Sequence, residues 1–220
     1  MKKLLSIVLS FSLILVPVTA LATSLDSPDD VKQQISDVYG IPISVLDTLD
    51  QDTFDGLSNN LSEAISVSSE DTYIKITSTE SGESLIAEST YQEYLHSLMS
   101  RDASKTHENA WMRIHTTIID KGNYAQVSAA FTWLSDLVWR GTDVVGLSIT
   151  QGTFMGGTGS GFHSYKDYQG SHTVNFLLKD FSEQGHGITY KFPLVSYVDS
   201  KVTNEFSFIQ ASIHKEGQSE

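Results

Sequence analysis

The sequence predicts an α+β fold, mainly an antiparallel β-sandwich or open barrel with short helices at its N-terminal end. Three observations carry that expectation. Residues 111–133 form two alternating runs joined by a short turn. Further short β-patterned runs follow at close spacing, without the strand–helix alternation of a parallel sheet. Residues 27–65 instead repeat apolar side chains at helical spacing.

The chain has 220 residues, no cysteine and a formal charge of −13. It opens with Met1-Lys2-Lys3, an apolar run from Leu4 to Val16, and Ala20-Leu21-Ala22. Basic, apolar and small residues in that order read as a secretion signal cleaved before Thr23. The run is too short for a comfortable membrane span, so no stable span is expected after cleavage. The expected protein is secreted and extracellular. Its parts are a signal over 1–22, an acidic helical segment over 23–68, an antiparallel β domain over 69–215 with one inserted helix at about 90–99, and a tail over 216–220. Without cysteine there is no disulfide, thiol catalysis, cysteine-ligated zinc or lipoprotein anchor. Loss of Lys2 and Lys3 takes the charge from −13 to −15, and residues 23–70 hold ten acids against Lys32 alone. Such a balance argues against nucleic acid and anionic membrane as partners.

Taken in order, Pro28-Asp29-Asp30 suits a first helical turn, with Val31, Ile35 and Val38 as its stripe and Gly40 as its end. Val45, Leu46 and Leu49 form the next stripe. Asp52 reads as the N-cap of a third, carrying Phe54, Leu57, Leu61 and Ala64. These helices are too short to stand alone and must pack on each other or on the sheet. Asp71–Ser78 is a strand, Glu80–Gly82 a turn, and Leu85–Ala87 its partner. Thr90 and Glu93 make a capping box that opens a helix bearing Tyr91, Leu95, Leu98 and Met99. Arg101 to Asn109 is polar and reads as an exposed loop.

In the central hairpin, Met112, Ile114, Thr116 and Ile118 share one face, against Trp111, Arg113, His115 and Thr117. Asp120-Lys121-Gly122-Asn123 turns the chain, with Gly122 free to take positive φ. Tyr124–Trp133 returns with Val127, Ala129, Phe131 and Trp133 aligned. Thr142–Ile149 is a third strand. Gly152–Gly170 reads as a glycine-rich loop, His172–Leu178 as a strand and Gln184–Gly187 as a turn. Ile188–Val198 is a strand in which Pro193 points to an edge or bulge. In Val202–His214, Phe206 and Phe208 fall on one parity and Ile209, Ala211 and Ile213 on the other, so a bulge near Phe208 is expected.

No catalytic set is complete. Ser160, in Thr158-Gly159-Ser160-Gly161, is a candidate nucleophile, with His163, His172 or His186 as base and Asp167 or Asp180 as orienter. A nucleophile elbow requires glycine where Thr158 stands, and the strand–turn–helix context is missing. His163, Asp167, His172 and His186 contain a metal-ligand set but match no spacing signature, so no metal or other cofactor is assigned. The acids Asp47, Asp50, Asp52 and Asp55 fit no EF-hand register. Arg140 and Asp143 read as a structural ion pair.

The aromatics are the better lead. Trp133, Trp139, Phe154, Phe162, Tyr165 and Tyr168 cluster around the third strand and the glycine-rich loop, as candidates to stack on a sugar or grip a peptide. The leading expectation is a secreted, non-enzymatic binding module whose ligand is a cell-wall or environmental glycan, or an extracellular protein. The alternatives are a secreted hydrolase built on Ser160 or the histidines, and a toxin or bacteriocin-like factor whose strands rearrange into a membrane barrel.

Overall fold

A computed structural model describes residues 10–11, 27–78, 84–99, 109–135, 142–176, 178–181, 186–193 and 203–215. The expected turns at 80–82 and 184–185, the loop at 101–108, Trp139 and Arg140, the end of the Pro193 strand and residues 216–220 lie outside them, as do residues 1–9 and 12–26.

Four helices and twelve strands are described. The helices are α1 (Pro28–Tyr39), α2 (Ile43–Leu46), α3 (Gln51–Ser62) and α4 (Tyr91–Met99). The strands are β1 (Ser10–Phe11), β2 (Ser66–Ser78), β3 (Ser84–Ser89), β4 (Asn109–Asp120), β5 (Tyr124–Trp133), β6 (Thr142–Ile149), β7 (Thr153–Phe154), β8 (Ser160–Asp167), β9 (Gly170–Asn175), β10 (Leu178–Phe181), β11 (Gly187–Pro193) and β12 (Thr203–His214). They form two sheets. The larger runs β3-β2-β4-β5-β12-β8-β9, with β7 also on β12. The smaller runs β1-β6-β11-β10, antiparallel except for β1 on β6. The fold is α+β and sandwich-like, as the sequence predicts.

The inner face of the large sheet packs against β6 and β11. Ile114, Val127, Ala129, Phe131, Ile209 and Ala211 meet Val145, Leu147, Ile188 and Tyr190 there in one buried cluster. The outer face carries the front helices. Phe162, Phe206, Phe208 and Ile119 meet Ile35, Tyr39, Ile41 and Leu57 in a second cluster. This sharing of faces corrects the expected bulge near Phe208. β12 stays in register with β5 from Phe206 to His214, because phenylalanines and isoleucines each find a buried layer on their own side. The irregularity in its pairing lies between Thr203 and Phe206, against β8.

Tyr39 fixes α1 by meeting Phe208 edge-on at 5.7 Å. Three side chains of β4 then grip the end of α1. Arg113 Nη2 donates to the Gly40 carbonyl, while His115 Nε2 and Thr117 Oγ1 donate to that of Val38. Since α1 has no basic residue in its last turn, β4 supplies the cationic group its dipole favours. His115 is itself held by Asp71 on β2, 2.8 Å from Nδ1. Gly40 ends α1 at φ 67°, and a Cβ there would stand 2.5 Å from His115 Cγ. Asp50, rather than Asp52, caps α3 by accepting from Thr53 N, because the helix starts two residues earlier than its apolar stripe indicates. The capping box of α4 forms in both directions between Thr90 and Glu93.

Other boundaries move for tertiary reasons. β2 begins at Ser66 rather than Asp71, since it pairs β4 along nearly its whole length. β11 is an interior strand between β6 and β10, and Pro193 is the last of its described residues. β9 stops at Asn175, and Leu178 begins a strand of the other sheet.

Candidate functional site

The region read as a glycine-rich loop is largely strand. Gly161 sits in β8 where a Cβ would come within 2.5 Å of the Phe208 carbonyl, so its bare backbone lets β8 close on β12. β8 and β9 then form a hairpin closed by the Asp167–Gly170 pair, with Tyr168 and Gln169 at its tip. Asp167 Oδ1 accepts from Gln169 N at 2.7 Å, which shapes the turn.

Alternation along β8 separates the residues proposed for chemistry. Ser160 shares the outer parity with Phe162, while His163, Tyr165 and Asp167 share the inner one. Ser160 and His163 therefore project from opposite faces. The Ser160 hydroxyl accepts from Gln210 Nε2, whose carbonyl accepts in turn from Gln126 Nε2. His163 is buried, with Nδ1 3.0 Å from Ser207 Oγ. Burial pushes its imidazole down to about 4, against the hydrogen bond to the Phe206 backbone.

Asp167 and His172 do meet. His172 Nε2 lies 2.9 Å from Asp167 Oδ1, and the side chains are 32% and 1% exposed respectively. Burial alone would raise the Asp167 carboxyl. The bonds from His172 and from Gln169 N outweigh it and hold the group below the usual carboxylate range. A ring stack links the two histidines, with His163 5.7 Å from Tyr165 and Tyr165 4.9 Å from His172. Among the described residues no group of three or more His, Asp or Glu is placed to hold a metal ion.

The six aromatics separate by exposure. Phe154, Phe162 and Tyr165 are buried, and Trp133 is half-buried against the inner core. Trp139 lies outside the described residues. Tyr168, at the hairpin tip, is 75% exposed. Further down the hairpin, half-exposed His172 and exposed Val174 take successive inner-parity positions of β9.

Sequence reasoning passed over a second aromatic group. Tyr73 on β2 and Tyr91 and Tyr94 on α4 lie 5.5 to 6.4 Å apart, and Tyr94 rests on Trp111 at 5.5 Å. Lys75 Nζ stands 5.8 Å over the Trp111 ring. The available signals were the i, i+3 spacing of Tyr91 and Tyr94 and the shared outer parity of Tyr73 and Trp111. A third feature is a cleft of about 670 Å³ among α1, α2 and α3. No helix of the described residues is long and apolar enough to cross a membrane.

No family model, curated protein or solved structure matches the chain.

Proposed function

We propose that this is a secreted, non-enzymatic binding module that engages its ligand through the tip of the β8–β9 hairpin. The observation that carries the reading is Tyr168, an exposed ring on a two-residue turn whose backbone is fixed by Asp167. A ring held this way contributes flat apolar area at small entropic cost. Half-exposed His172 extends the surface with a polar edge. The ligand class that suits such a surface is a glycan face, or an extracellular protein presenting a flat apolar patch.

The test is retention of residues 23–220 on washed cell walls and insoluble polysaccharides. Tyr168→Ala is expected to weaken retention about tenfold, in line with the loss of one anchoring ring. Tyr91→Ala, in the other aromatic group, is expected to leave it unchanged. Equal retention of wild type and Tyr168→Ala overturns this placement, and no retention on any matrix removes the glycan reading.

A second reading, hydrolysis, rests on the Asp167–His172 pair. A buried carboxylate holding a half-exposed imidazole is the orienter and base of a proton-transfer site. Turnover of any ester, peptide or glycoside that Asp167→Asn abolishes and Tyr168→Ala preserves would favour it.

A further inference from the structure

We propose that the cleft among the three front helices binds a ligand with an apolar body and a cationic head, at a site separate from the β8–β9 hairpin. The cleft of about 670 Å³ lies within the size range of small-ligand pockets. Its apolar wall comes from Val31 on α1, Leu46 on α2, Leu49 in the following turn and Phe54 on α3. Leu46 is buried, but Val31, Leu49 and Phe54 keep part of their surface open, so packing the helices on the sheet does not use up their stripes. The four-residue α2 and the turn after it form one wall of the cleft, facing the first turns of α1 and α3.

The polar part of the lining decides the ligand's charge. Lys32 Nζ bonds Asp47 Oδ1 at 2.6 Å across the cleft, and both side chains line it. Lys32 is the single basic residue among ten acids in residues 23–70. Asp29, Asp30, Asp50 and Asp52 are all exposed on the same helical segment. An anion approaching Lys32 has to enter that negative field, whereas a cation is drawn in. Lys32 thus occupies the place of a ligand cation, with an alkyl stem beside apolar residues and an ammonium on Asp47. A ligand ammonium or guanidinium displaces it from the carboxylate while the ligand's apolar body covers Leu49 and Phe54. Because Asp47 is exposed and Lys32 only half-buried, neither belonging to the buried cluster beneath the helices, the exchange requires no change in the packed core.

The test is a titration of the full 220-residue chain with n-hexylammonium, followed by the amide and methyl signals of α1–α3, with hexanoate as the anionic control. Hexylammonium is expected to bind saturably and to weaken with salt, and hexanoate to bind at least about tenfold more weakly, the factor that one charge-assisted contact supplies. Asp47→Asn is expected to weaken hexylammonium by about the same factor, and Lys32→Ala to strengthen it by freeing Asp47. A capped Leu-Lys-Leu peptide in a parallel titration distinguishes a peptide source from a free amine. Circular dichroism on each variant separates lost binding from lost fold. Equal or tighter binding of hexanoate, an unchanged affinity in folded Asp47→Asn, or no saturable binding of hexylammonium or the peptide overturns the proposal.

Discussion

The two faces of the large sheet each carry a buried layer, yet the layers are held in different ways. The inner face meets another sheet through branched aliphatic side chains, with Ile114, Ile188 and Ile209 wholly enclosed. Its contacts are non-directional, and their strength follows from the area removed from water. The outer face meets helices too short to be stable alone. There an aromatic plug, Tyr39 on Phe208 with Phe162 and Phe206, provides the apolar contact. Directed bonds from Arg113, His115 and Thr117 set where α1 ends. A layer built from area should fail as a whole, whereas one built from a plug and pins should loosen locally.

The largest expected effect tests the inner layer. Ile114→Ala leaves a void at the middle of β4 and should lower global stability by about 2–5 kcal/mol in denaturant unfolding. Loss confined to the front helices would break the comparison. The next test is acid. His163 titrates near 4 in the folded chain against 6.5 when unfolded, so the unfolded state takes up the proton first. Stability should be full above about pH 6.5, fall as the pH drops towards 4, and lose on the order of 3 kcal/mol over that window. His163→Gln should flatten that slope. A slope unchanged in a folded variant would show that His163 is not its source.

Gly40→Ala addresses the outer layer. The left-handed backbone and the His115 ring both resist a Cβ, and a cost of about 1–3 kcal/mol is expected. Hydrogen exchange should rise in α1 while β5 and β12 stay protected. Equal loss of protection in the sheet would mean that the two layers unfold as one. The smallest effect is Asp50→Ala, which removes the N-cap of α3 and should cost about 1 kcal/mol, read as a small drop in melting temperature.

The candidate site was only partly legible. Tyr168 and Asp167 could be picked out, because polar and aromatic residues beside glycine mark an exposed turn. The opposition of Ser160 and His163 could not, since it requires knowing that this stretch is a strand. Glycine-rich sequence reads as loop by default, and the role of Gly161 appears only once the Phe208 carbonyl lies against it. The Asp167–His172 pair likewise depends on a register that only the closed hairpin fixes.

By itself the sequence determined the local structure. The alternation of β4 and β5, the turn at Gly122, the start of α1 at Pro28 and its end at Gly40, and the capping box of α4 all follow from short-range sterics and hydrogen bonding. The tertiary structure decided what lies on each side of those elements. Phe208 and Ile209 are equally apolar, and no local rule says that one will meet a helix and the other a sheet. That choice depends on which distant surfaces can be buried together, and burial has no direction along the chain.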